Sequence, residues 1–149
     1  MKVVEYTEAI NEMFTLLDVA IKTQAASVIG YVPHIMWPGI EEDTRLDHSK
    51  YYVRMTQKGI DEPQTAFCGD VDRLYEPFGL LIIQLFTPKS QELGLTKGRE
   101  LSSIIKKAYR GKTTPGRIWF RNVSVRELKP ELNYYRFNIV VQYEYNEKG

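Results

Sequence analysis

The chain has 149 residues, 43% of them hydrophobic, and a net charge of +1, which predicts one folded domain over residues 1–149. Cys68 is the only cysteine, so an intrachain disulfide and a zinc site built from cysteines are excluded. Because no run of about 18 apolar residues occurs, and because the start MKVVEYTEAI does not resemble a secretory signal, we expect no membrane partner and a protein made in a reducing cytoplasm.

The first half of the chain predicts one helix followed by three strands. Residues Glu5 to Ala26 carry an apolar stripe at helical spacing: Ile10, Met13, Phe14, Leu17, Ala20 and Ile21. The segment Tyr31 to Trp37 predicts a short strand, which Pro33 restricts to a sheet edge. Tyr51 to Thr56 predicts a further strand, and Thr65 to Cys68 predicts a short strand that pairs with it across the turn-rich segment Lys58 to Pro63.

The second half predicts a strand, a helix and two long strands. Leu80 to Phe86 is an apolar run of strand length. In the helix predicted from Thr96 to Gly111, four apolar side chains recur at helical spacing: Leu101, Ile104, Ile105 and Tyr109. Arg117 to Arg126 predicts the next strand. The last strand has an alternating apolar face: Tyr135, Phe137, Ile139, Val141, Tyr143 and Tyr145. This face is expected to be buried, either by helices or by another subunit.

The element order is therefore α, β, β, β, β, α, β, β. Helices and strands that do not alternate regularly favour the α+β class. We predict a mostly antiparallel sheet covered by two α-helices.

Residues with catalytic or metal-binding chemistry are scattered. Asp47, His48 and Cys68 could supply an acid, a base and a thiol, but Cys68 lies on an apolar strand, where a free cysteine usually packs as a small hydrophobe. His34, His48, Asp70 and Asp72 lack the compact spacing of a metal site. No glycine-rich phosphate-binding motif occurs. We expect no enzyme activity, no catalytic residue, no metal and no cofactor.

Charge is unevenly distributed along the chain. Residues 97–129 hold ten Lys or Arg against two Glu, whereas residues 41–76 hold nine Asp or Glu against five Lys or Arg. Segregated charge would let copies of the chain meet head to tail. The alternative is a small nucleic-acid-binding module that uses the basic 97–129 segment, with Trp119 and Phe120 stacking on bases. Nucleic acid is the less favoured partner, because the net charge is close to zero.

Several segments together resemble the phage tail terminator family, also described as tail-completion proteins. After an amphipathic helix the chain reads VPHIMWPGI, YYVRMT, QTAFCG, RLYEPFGLLIIQLFTP and GRELSSIIKKAYRG, and two strands close it. The resemblance covers nearly the whole chain in the family's order. Its most specific part is FGLLIIQLFTP with the helix that follows.

The resemblance implies a subunit that forms a ring, a hexamer, at the head-proximal end of the virion tail. Such a ring stops polymerisation of the tail tube and joins the tail to the filled head. Its partners would be further copies of itself, the tail tube protein and a head-completion or neck protein, all made in the cytoplasm of a host bacterium.

The charge pattern then suggests where neighbouring subunits would meet. A basic group of one subunit would contact an acidic loop of the next, or these residues would form the interface with the tail tube. The predicted contact residues are Arg110, Lys112, Arg117 and Arg121 on the basic side, and Glu41, Glu42 and Asp43 on the acidic side.

Overall fold

The computed structural model describes residues 2–39, 49–68 and 72–148. The helices are α1 (Tyr6–Ala20), which continues through a π-helical turn (Ile21–Ala25) into α2 (Ala26–Ile29), and α3 (Gly94–Tyr109). The strands are β1 (His34–Met36), β2 (Tyr52–Asp61), β3 (Gln64–Cys68), β4 (Asp72–Tyr75), β5 (Phe78–Pro88), β6 (Trp119–Leu128), β7 (Tyr134–Glu144) and β8 (Glu147–Lys148). Among the described helices, none has the length and hydropathy needed to cross a bilayer.

Within the described residues the strands form two sheets. The larger sheet has the order β1-β2-β5-β7-β6, and the smaller has the order β3-β4-β8. All pairs are antiparallel except β1 with β2. The predicted α+β class is confirmed.

Three details of the predicted strands differ from the structure. The predicted pairing of Thr65 to Cys68 with Tyr51 to Thr56 is wrong, because β3 pairs with β4 in the smaller sheet. Strands β4 and β8 were not predicted, because four and two residues are too short to show a periodic pattern. Strand β2 also continues to Asp61, beyond the predicted end at Thr56, because its pairing with β5 extends to the partners Asp61 and Phe78. The prediction that Pro33 confines its strand to an edge is confirmed by the position of β1.

The helices cover one face of the larger sheet. Apolar side chains of α1 and α3 form a single core with the inward side chains of β2, β5 and β7. Phe137, Ile139 and Val141 of β7 are fully buried in this core. The alternating face predicted for β7 is therefore covered by helices of the same chain.

Helix α3 lies unusually close to the sheet at Gly98. A Cβ atom at this position would lie 2.5 Å from the Phe137 ring and 2.8 Å from the Thr87 methyl group. At the end of the same helix the buried Tyr109 hydroxyl donates a hydrogen bond to the Met13 carbonyl of α1, at 2.9 Å. These two contacts fix α3 against both the sheet and α1.

Gly98→Ala should destabilise the fold by about 1–3 kcal/mol, because the added methyl group overpacks the contact between helix and sheet. This is opposite in sign to the usual effect of Gly→Ala within a helix, which is stabilising by about 1 kcal/mol. Urea unfolding of the purified variant measures the change. Ser103→Ala on the same helix is the matched control and should be close to neutral. A Gly98→Ala variant as stable as the unmodified protein would contradict the packing described here.

Candidate subunit interface

Three of the predicted basic residues lie on one connection between α3 and β6, residues 110–118, which we call the basic connection. Arg110 follows the last residue of α3, and Lys112 and Arg117 lie on the turns after it. All three side chains are exposed to solvent. The structure thus brings Arg110, Lys112 and Arg117 to a single surface.

The basic connection is held against α1 by Glu12. The Glu12 carboxylate accepts hydrogen bonds from the Thr114 hydroxyl at 2.8 Å and from the Gly116 amide at 2.8 Å. The Thr114 hydroxyl in turn accepts a hydrogen bond from the amide of Ile118, whose side chain is fully buried. Hydrogen bonds of this kind hold the backbone of the connection against α1.

Arg117 has a left-handed backbone, with φ of 57°. This conformation costs a residue with a Cβ about 1–2 kcal/mol, and glycine avoids the cost. The Arg117 amide donates to the Thr114 carbonyl at 2.8 Å, which closes the turn. An arginine at a position whose backbone favours glycine points to a use for its side chain.

Arg121 is separated from the other predicted basic residues. It lies on β6, where it pairs with Gln142, on the sheet face opposite the helices. Its guanidinium forms an ion pair with Glu144 at 3.2 Å, so part of its charge is compensated within the chain. The predicted acidic residues Glu41, Glu42 and Asp43 lie outside the described residues, as do Asp47, His48 and Asp70.

A cleft of about 470 Å³ lies at the end of β2, at the same end of the sheet as the start of β6. Its wall includes Tyr6, Ile60, Phe78 and Tyr143, and we call it the tyrosine cleft. Tyr143 is held in place because its hydroxyl accepts a hydrogen bond from the Gln57 side chain at 2.5 Å. Its ring also fills the space that a Cβ at Gly79 would need.

Acidic side chains surround the tyrosine cleft. Asp61 and Glu62 line it and are exposed, and Glu147 of β8 lies close to Glu62 and Glu5. Burial raises the pKa of Glu147, and the neighbouring carboxylates of Glu62 and Glu5 raise it further. The carboxylates repel one another, and a cation placed here would relieve that repulsion.

Only one of the two aromatic residues near the basic connection is free to contact a partner. Phe120 packs edge-on against the buried Tyr109, with ring centroids 5.2 Å apart, and is part of the core. Trp119 remains 39% exposed. Of the two rings, Trp119 is therefore the one with more surface available to a partner.

Among the residues that the structure describes, no three His, Cys, Asp or Glu side chains gather into a group able to hold a metal ion.

No known protein family and no curated protein matches the chain. Solved structures do match it. One is a chain with no functional name, with 12% identity and a TM-score of 0.56, covering 88% of this chain and 94% of that one. Another belongs to the virion of a native gene transfer agent particle, with 13% identity and a TM-score of 0.55, covering 93% of each chain. At these identities the likeness shows a shared fold.

Arg117→Gly should be more stable than Arg117→Ala by about 1 kcal/mol, because both variants lose the charge but only glycine adopts a positive φ without steric cost. Thermal unfolding followed by circular dichroism compares the two variants directly. If the alanine variant proved the more stable, the left-handed backbone assigned to Arg117 would be wrong.

Proposed function

We propose that this protein is a structural subunit of a phage-like particle and, more specifically, its tail terminator. The supporting observation is that the fold matches, over 93% of both chains, a chain from the virion of a gene transfer agent particle. The order of segments in the sequence, which resembles the tail terminator family, favours this assignment among the structural proteins of such particles.

In this proposal the protein forms a hexameric ring on the head-proximal end of the tail. The ring stops polymerisation of the tail tube protein and provides the surface on which a head-completion or neck protein docks. The protein makes and breaks no covalent bond, because its work is to cap and to join. Its place is the virion tail, after synthesis in the cytoplasm of the host bacterium.

Two features of the surface support ring formation. A closed ring requires two different contact surfaces on each subunit, so that every contact is head to tail. The basic connection and the acidic tyrosine cleft are two such surfaces, and they carry opposite charge. Unlike charges at the two sides of a contact favour the correct pairing and disfavour contact between identical surfaces.

The proposal predicts that the purified protein shortens tubes formed by the tail tube protein of the same particle. Added during polymerisation, it should reduce mean tube length in proportion to its amount, because each ring blocks one growing end. Added after polymerisation, it should leave the length unchanged and appear as extra density at one end only. Negative-stain electron microscopy measures both. Tubes of unchanged length without density at their ends would contradict the proposed function.

A further inference from the structure

Resting on the proposed function, we propose that neighbouring subunits join by inserting the basic connection and Trp119 of one copy into the acidic tyrosine cleft of the next. This assigns an acidic partner surface other than the loop around Glu41 predicted from the sequence. The occupant of the cleft is thus a second copy of this chain.

The two surfaces lie at the same end of the larger sheet. The basic connection leads into β6, which is an edge strand, whereas the cleft lies at the end of β2. From there the cleft extends across Phe78 of β5 to Tyr143 of β7, and Tyr143 is the strand partner of Phe120. Because the two surfaces are built from different residues, pairing them between copies gives a head-to-tail contact.

The two surfaces also complement each other chemically. Lys112 and Arg117 offer positive charge from a connection with a fixed backbone, and Glu62 and Glu147 offer negative charge at the cleft. The basic side presents an exposed aromatic side chain, Trp119, of a type that often dominates binding energy at interfaces.

The cleft presents apolar surface that could receive this side chain. Ile60 is 53% exposed and Tyr6 is 51% exposed, and both line the cleft. Its volume of about 470 Å³ leaves room for an indole ring to lie in the cleft. An apolar centre with charged groups around it is the usual arrangement of a specific protein interface.

A charge-swap experiment tests the contact. The first variant combines Lys112→Glu with Arg117→Asp, since aspartate tolerates the left-handed backbone better than glutamate. The second combines Glu62→Lys with Glu147→Lys. Asp61 is kept because its carboxylate accepts a hydrogen bond from the Glu62 amide at 2.8 Å.

Each variant alone should fold. Its association constant for assembly should be at least tenfold lower than that of the unmodified protein, because like charges then meet at every contact. An equimolar mixture should recover assembly, since the two variants can alternate around a ring with an even number of subunits. Analytical ultracentrifugation measures assembly in solution, and electron microscopy measures it on tube ends. Circular dichroism confirms that each variant is folded.

Matched controls separate this contact from general effects of charge and surface. Arg126→Glu with Lys129→Glu reverses two exposed charges at the other end of β6 and should leave assembly unchanged. Trp119→Ala should lower the association constant for assembly at least tenfold. Leu132→Ala, which truncates a side chain that is 89% exposed, should leave that constant unchanged.

The outcomes distinguish this inference from the proposed function. Tubes capped equally well by the unmodified protein and by both charge variants would overturn the inference and leave the function standing. A mixture that stays dissociated would also overturn it. Tubes left uncapped, with charge-dependent assembly still seen in solution, would overturn the function and leave the contact standing. An unmodified protein that neither caps tubes nor self-associates at any concentration would overturn both.

Discussion

The close packing of α3 on the central strands is the constraint on which the rest of the structure depends. Gly98 lets the helix approach until the Phe137 ring and the Thr87 methyl group occupy the space of a Cβ atom. From this position the Tyr109 hydroxyl donates a hydrogen bond to the Met13 carbonyl and so holds α1 in place. One face of the sheet is thereby buried within the chain, which leaves the opposite face, the sheet edges and the strand ends to meet other molecules.

The end of α3 sets the position of the candidate interface. Since Tyr109 is fully buried, the chain leaves the core at Arg110 and must return to it at Ile118. The Glu12 carboxylate accepts hydrogen bonds from Thr114 and Gly116 of the basic connection and so holds its backbone in place. The exposed cations extend from this backbone into solvent. The same packing that stabilises the core therefore sets the position of the backbone from which Lys112 and Arg117 extend.

The elements with a long periodic pattern could be predicted from the sequence, and the surfaces built by distant residues could not. The stripe on β7 and the spacing of Leu101, Ile105 and Tyr109 predicted the core correctly. Glu12 accepts a hydrogen bond from Gly116, which lies 104 positions further along the chain, and no local sequence pattern predicts such a contact. The tyrosine cleft is likewise missed, because its wall combines the first helix, the polar end of β2 and the last strand.

Zero-length cross-linking tests the head-to-tail contact most directly. Isotopically light and heavy copies are mixed, assembled and treated with a reagent that joins amines to carboxylates, and the cross-linked peptides are identified by mass spectrometry. The contact predicts mixed light and heavy pairs that join Lys112 of one copy to Asp61, Glu62 or Glu147 of another. Assembled particles in which Lys112 is joined only to other carboxylates, such as those of Glu41 to Asp43, would contradict it.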